Sequence, residues 1–382
     1  MVQLKKIKAL VIAINFNRDP DYKELVAEGV SLVESAGYEV ILLTELSRPK
    51  VDPKFFVGSG KLEELKISCA TLNIDTVIFI QNLSSVQERN LEKEFKLPVI
   101  DRTRLILDIF ASRVTTNEGI LQVELATLSH QMTRLVKRWS HLERQRGGIG
   151  LRGGPGETQI ELDRRMISEQ IKRLKARLRS SVKQRETQRK ARAKNNIFSI
   201  SIVGYTNAGK STLFNSLTKS NVYVENRLFA TLQTTSRKLF LNENRDEVVI
   251  SDTVGFIRDL PHTLVAAFRA TLEETINANL LLHVVDVVDV LQERQIDDVN
   301  KVLREINADK IPQLIVYNKI DLKFGVMPKI NYTSDGEPDS VNISASNDIG
   351  LDLLKIAILE KISWIAGKDD MKQELIYEPW KQ

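Results

Sequence analysis

Residues 197–212 read Ile197-Phe198-Ser199-Ile200-Ser201-Ile202-Val203-Gly204-Tyr205-Thr206-Asn207-Ala208-Gly209-Lys210-Ser211-Thr212, an apolar run that ends in G-x-x-x-x-G-K-S and passes into the helical pattern Thr212 to Leu217. In that context the glycines let backbone amides curl round phosphate, Lys210 reaches the β and γ phosphates, and the Ser211 hydroxyl can ligate Mg2+. Further on, Asp252-Thr253-Val254-Gly255 follows the apolar run Val248 to Ser251. There an aspartate can hold magnesium through water, and the Gly255 amide can meet a γ-phosphate. Asn318-Lys319-Ile320-Asp321 follows the run Gln313 to Tyr317. The Asp321 carboxylate can accept from both N1 and N2 of guanine, whereas adenine presents an acceptor at the first position and nothing at the second. With Ser344-Ala345 in a later loop, the ordered set selects GTP as substrate over the ATP of a generic P-loop protein. Lys210, Thr231 and Gly255 are the catalytic candidates, and Ser211, Thr231 and Asp252 the metal candidates.

Two positions bear on turnover. Phe256 follows Gly255, where many small GTPases place the glutamine that orients water, so slow intrinsic hydrolysis is expected. Asn207 stands at the P-loop position where an asparagine in other GTPases helps hold K+ beside the phosphates, or it caps a turn; both readings stay open. Thr231, in Phe229-Ala230-Thr231-Leu232, is the switch threonine expected to close on magnesium and the γ-phosphate in the GTP state, with Thr234 and Thr235 as rivals.

Around this nucleotide segment, strand runs at Leu280 to Val285 and Ser340 to Ile343 alternate with helical patterns near His262 to Ile276, at Val290 to Ile306 and at Ile349 to Ile362. A doubly wound domain over 196–367 is expected, with 368–382 as a short tail and Thr333 to Asp339 as a polar loop. The first 112 residues repeat the alternation, with strands at Lys8 to Ile14, Glu39 to Leu43, Thr76 to Ile80 and Pro98 to Ile100, and predict a parallel α/β domain. Its Gly58-Ser59-Gly60-Lys61 lacks the spacing of a phosphate loop and reads as a turn and helix start. From 113 to 195 the strand signal stops. Leu121, Leu125, Leu128, Met132, Leu135, Trp139 and Leu142 share one helical face, as do Leu162, Met166, Ile171, Leu174, Leu178 and Val182. Between them, Gly147 to Gly156 can continue neither helix. A helical hairpin is expected, each arm about 30 Å long, with Arg144, Arg146 and Arg152 near a glycine-rich tip.

Composition sets the outer limits. The chain has 382 residues, 42% hydrophobic and 27% charged, which suits two or three folded domains. The lone Cys69 and four His exclude a disulfide framework or a cysteine-based metal cluster and fit a reducing compartment. Lys5, Lys6 and Lys8 precede an apolar run too short for a leader or a membrane span, so a cytoplasmic protein without membrane insertion is expected. The net charge of +5 is unevenly placed: Glu161 to Lys194 holds 13 Lys or Arg against 4 Asp or Glu, leaving a mildly acidic remainder. Such a run is a solvated helix face or a polyanion site.

These residues together resemble the HflX family of ribosome-associated GTPases. The likeness runs through Gly58-Ser59-Gly60-Lys61, Asp101-Arg102-Thr103, Leu121-Gln122-Val123-Glu124-Leu125-Ala126, the tip Gly147-Gly148-Ile149-Gly150 with Gly154-Pro155-Gly156-Glu157-Thr158-Gln159, and Asp252 through His262. The resemblance implies a protein that meets the large ribosomal subunit and can split stalled ribosomes under stress; a monomer that does not bind DNA is expected. It places Arg144, Arg146, Gly147, Gly148, Gly150, Arg152, Gly153 and Gly154 against ribosomal RNA, with GTP state controlling retention. A GTP-dependent RNA-binding or assembly chaperone without splitting activity is the alternative. The chain departs from the family pattern at Gln233-Thr234, where Asp-Pro is usual, and at Ile120, where lysine is common.

Overall fold

The computed structural model describes residues 6–145, 161–179, 197–219, 228–229, 235–241, 247–258 and 269–376. They fall into two compact units, one on each side of the stretch 180–196.

In the first unit a fully buried apolar strand sits at the centre, as expected of a parallel sheet covered on both faces. Strand β1 (Ile7–Phe16) has Ala9 to Ala13 at zero exposure. Helices α1 (Tyr22–Ser35), α2 (Ser59–Leu72) and α3 (Ser85–Phe95) connect it to β2 (Tyr38–Arg48), β3 (Thr76–Phe79) and β4 (Val99–Ile100). All pairings are parallel, in the order β2-β1-β3-β4. Gly58, at φ +70°, begins α2, and Ser84 with Gln87 forms a capping box that starts α3. Strand β2 outlasts the expected Leu43 because Thr44 to Arg48 keep pairing with β1.

Asp101 then caps α4 (Arg102–Arg113), accepting from the Arg104 amide at 2.9 Å. Helix α5 (Asn117–Gln145) and helix α6 (161–179) form the two arms of the expected hairpin. Leu121, Leu125 and Leu174 are buried between them, with Leu128, Ile171 and Leu178 packed alongside. Each such leucine contributes roughly 1.5–3 kcal/mol. Arg134 of α5 pairs with Asp101 and with Glu88 of α3, so the hairpin's first arm is ionically tied to the α/β layer within this unit.

The second unit is a seven-stranded sheet of order β10-β11-β9-β8-β5-β7-β6. Parallel β5 (Phe198–Gly204), β7 (Glu247–Asp252), β8 (Leu280–Asp286), β9 (Gln313–Asn318) and β11 (Pro338–Asn342) supply the apolar centre, including Ile202, Leu282, Val284, Leu314 and Val316. Helices α7 (Lys210–Thr218), α8 (Arg269–Ile276), α9 (Gln292–Glu305) and α10 (Leu351–Ile376) accompany it.

Antiparallel β6 (Thr235–Phe240) and β10 (Lys329–Tyr332) form the two edges and depart from the sequence expectation. In β6 only Leu239 is buried, and charged edge strands protect an open sheet margin from adventitious pairing. The loop expected at Thr333 to Asp339 is the tight turn of the β10–β11 hairpin, with Gly336 at φ +80° and the Thr333 amide bonded to Glu337 O; β11 already begins at Pro338. Helix α10 also runs on to Ile376, past Ile362 and into the residues expected as a tail. Gly367 is tolerated within it, and no proline lies between Leu351 and Pro379.

Candidate nucleotide-binding site

Parallel strands β5, β7, β8 and β9 end on one side of the second sheet, and the motif residues lie at those ends, where open α/β sheets bind ligands. Gly204 closes β5 at φ +149°, and a Cβ there would come within 2.3 Å of the Val284 carbonyl oxygen. Gly209, at φ +92°, leaves room for Asn318: an added Cβ would sit 2.2 Å from Nδ2. Asn207 between them takes φ +63° and is exposed. The loop Gly204 to Gly209 therefore needs its glycines for conformation and for close approach at both ends.

Lys210 is buried at the start of α7, its Nζ donating to Tyr205 O at 2.7 Å. Burial lowers its pKa to about 8, with Asp252 acting in the opposite sense and Lys319 adding to the fall. Ser211 Oγ donates to Asp252 Oδ2 at 2.7 Å, and both residues are buried. The segment after Asp252 is sewn to the P-loop: the Thr206 amide donates to Phe256 O at 2.7 Å, and the Phe256 amide to Gly204 O at 3.1 Å. Thr253 Oγ1 donates to Ile202 O at 2.6 Å, and Val254 is buried beside it. Gly255 packs so closely that a Cβ would stand 3.0 Å from Lys210 Nζ. Phe256 itself is buried, 3% exposed, so it presents no polar group for positioning water.

Asn318 ties the remaining pieces together. Its Nδ2 donates to Ala208 O and its Oδ1 accepts from the Ala345 amide, both at 2.9 Å. Ser344 and Ala345 are buried, and Ser216 of α7 donates to Ala345 O at 2.8 Å. Lys319 follows in a left-handed conformation at φ +65°, and Asp321 lies exposed on the short 3-10 turn Ile320–Leu322. Among the described residues the Asp321 carboxylate accepts no hydrogen bond.

The structure thus brings Gly204, Tyr205, Thr206, Ala208, Gly209, Lys210, Ser211, Asp252, Thr253, Val254, Gly255, Asn318, Lys319, Ser344 and Ala345 into one contiguous site. Thr212 lies on the first turn of α7. Phe229 is buried at φ +58°, while Ala230 and Thr231 lie outside the described residues. Of the expected RNA contacts, Arg144 falls within α5, and Arg146, Gly147, Gly148, Gly150, Arg152, Gly153 and Gly154 lie outside the described residues.

Two polar residues at this end of the sheet escaped the motif reading. Asp286 ends β8 and accepts from Lys319 Nζ at 2.6 Å; an acid closing an apolar parallel strand was the available signal. His283, three residues earlier on β8, is 1% exposed, with Nδ1 3.3 Å from Gln313 Oε1. Burial chiefly, and the Lys210 charge in part, lower its pKa to about 4.

The doubly wound sheet, its glycine-rich strand-to-helix loop and the asparagine that links it to a base-side loop define a P-loop GTPase. Family models for a GTP-binding GTPase N-terminal region, a GTP-binding GTPase middle region and a 50S ribosome-binding GTPase match residues 23–111, 113–192 and 199–319. The chain belongs to the HflX family of GTPases. It is 49% identical to GTPase HflX of Escherichia coli over 93% of this chain and 83% of that one. GTPase HflX of Magnetococcus marinus is 46% identical over 93% and 80%. A crystal structure described as SsGBP in complex with GDP superposes with a TM-score of 0.51 at 28% identity, covering 93% of this chain and 98% of that chain. No helix among the described residues is long and apolar enough to cross a membrane.

Proposed function

We propose that this GTPase is a cytoplasmic, monomeric factor that binds the large ribosomal subunit through its helical hairpin, parts stalled ribosomes in its GTP state, and is reset by hydrolysis. The observation that carries this reading is the charge on α6. Arg164, Arg165, Lys172, Lys175 and Arg179 are all exposed. At 100° per residue they fall within an arc of about 100° beside the leucine seam, along about 22 Å of helix. Among the described residues, only Arg165 of the five meets an acid, Glu169 at 3.4 Å. A solvated helix face mixes signs at i,i+4 spacing, as Arg165 and Glu169 do here, whereas Arg164, Lys172, Lys175 and Arg179 set cations along one arc, which suits a phosphate backbone. The matching family description, a 50S ribosome-binding GTPase, points the same way.

In the nucleotide site, Gly204 through Thr212 cradle the phosphates with backbone amides, Asp321 takes the guanine edge, and Phe229, Ala230, Ser344 and Ala345 border the nucleotide. Ser211 and Asp252 supply a hydroxyl and a carboxylate already in contact, a hard-oxygen set that fits Mg2+; the switch threonine, Thr231, completes it. Bound there, the ion neutralises charge on the phosphate oxygens. Lys210 and the Gly255 amide hold the γ-phosphoryl group in line, and Lys210 remains charged at neutral pH despite its burial. Among the described residues no side chain is placed to act as general base, so water is oriented by backbone, by Thr231 or by ribosomal RNA, and turnover alone is slow. Asn207 offers a side-chain oxygen for K+ beside the phosphates.

Sucrose gradients of intact ribosomes with this protein and a non-hydrolysable GTP analogue test the reading. Conversion of whole ribosomes to free subunits is expected. Binding without conversion assigns the chaperone role instead. Steady-state hydrolysis should rise strongly with added large subunits, and a rate higher in potassium than in sodium buffer would assign Asn207 to ion binding.

A further inference from the structure

Asp286 is the last residue of β8 and stands in register beside Asn318, the residue that opens the N-K-x-D run on β9. Both oxygens of its carboxylate are engaged. Oδ2 accepts from Lys319 Nζ at 2.6 Å, and Oδ1 accepts from the Val288 amide at 3.0 Å, which fixes the carboxylate's orientation. The two loops it joins are bonded twice more: the Val287 amide donates to Asn318 O at 3.0 Å, and Lys323 Nζ donates to Val287 O at 3.0 Å. The pair is shielded, with side-chain exposures of 22% for Lys319 and 19% for Asp286.

We infer that Asp286 is a positioning residue for the base side of the nucleotide site: it holds the Lys319 stem in the left-handed turn that leads to Asp321, and so sets guanine nucleotide affinity without touching the nucleotide. The inference rests on Lys319 and Asp321 forming the base side. Lys319 must leave that turn at φ +65°, a conformation a lysine adopts only when its surroundings hold it there. The carboxylate also answers the Lys319 charge, which acts on Lys210 to lower its pKa.

The contribution is to binding and not to the chemical step. Asp286→Asn keeps the shape and the Val288 contact but removes the charge. It should raise the Kd for fluorescent GDP and the KM for GTP about fivefold, the equilibrium equivalent of an ion pair at the upper end of the partly exposed range. The kcat at saturating GTP should not change. ITP, which lacks the exocyclic amine, should lose affinity by the same factor, because Asp286 acts on the lysine and not on the base edge. Asp286→Glu should recover most of the loss, Lys319→Ala should reproduce it, and the double variant should lose no more than Lys319→Ala alone.

Asp321→Asn separates the inference from the reading beneath it, since an asparagine amide can donate to the O2 of xanthine and accept from its N1–H. A switch of preference from GDP to XDP in that variant confirms the base side. With that switch present, unchanged GDP affinity in Asp286→Asn overturns the positioning role, as does a fall in kcat at constant KM. Absence of the switch overturns the base-side assignment and the inference with it. Equal thermal unfolding of the Asn and Glu variants guards against a mere loss of folding.

Discussion

Lys210 brings an ammonium group into the protein against the Tyr205 carbonyl, and burial lowers its pKa to about 8. A phosphate group binds the protonated form, so above that pKa each binding event must also take up a proton. Affinity should then fall with rising pH, and GDP titrations should show roughly fourfold weaker binding at about pH 8.5 than at about pH 7, before guanine N1–H ionises. A flat profile over that interval would show that the lysine stays charged without nucleotide. His283 titrates in the opposite window. Its pKa is lowered to about 4 by burial, while the unfolded chain takes up a proton near about pH 6.5. Stability is therefore fully present above about pH 6.5 and is lost as pH falls toward about 4, at up to about 1.4 kcal/mol per unit. Urea unfolding of wild type and His283→Gln at about pH 7 and about pH 5 checks this; the variant should lose that part of the slope, and an identical slope would contradict it.

At the scale of elements, the hairpin's first arm is held by charge as well as by leucines. Arg134 of α5 reaches Asp101 and Glu88, and its Nε donates to His130 at 3.1 Å. Asp101 is 1% exposed at the side chain, so removing the guanidinium strands a buried carboxylate. Arg134→Met should destabilise this unit by about 3 kcal/mol, seen as faster hydrogen exchange in α3, α4 and α5. GDP affinity should be retained. This tether is of a kind that sequence reading does not reach, because Glu88, Asp101 and Arg134 are separated along the chain and each looks like an ordinary surface charge. The buried parallel strands were legible because an unbroken apolar run such as Ala9 to Ile14 fits no solvated element. Edge strands β6 and β10 were not, since Arg237, Lys238 and Lys329 sit on margins where hydrophobic period carries no information. The nucleotide loops were legible at motif positions, where function demands particular residue types. Asp286 was not, because it acts through Lys319.

For the molecule as a whole, nucleotide chemistry resides in one compact unit and the basic stripe of α6 in the other, with residues 180–196 running between them along the chain. A GTP-controlled RNA contact therefore requires the stripe to supply binding free energy that the nucleotide unit can spend. If Arg164, Lys172, Lys175 and Arg179 each neutralise a phosphate, binding releases counterions, and every contact adds roughly 0.7–0.9 to the slope of log affinity against log salt. Changing all four to glutamine should weaken binding to large ribosomal subunits and flatten that slope by about 3. Retained GDP binding would report that the nucleotide unit is intact. The slope discriminates where affinity alone does not. Weaker binding at an unchanged slope would mean that these side chains make neutral hydrogen bonds or brace the arm, and undiminished binding would move the RNA contact off α6 to another part of the hairpin.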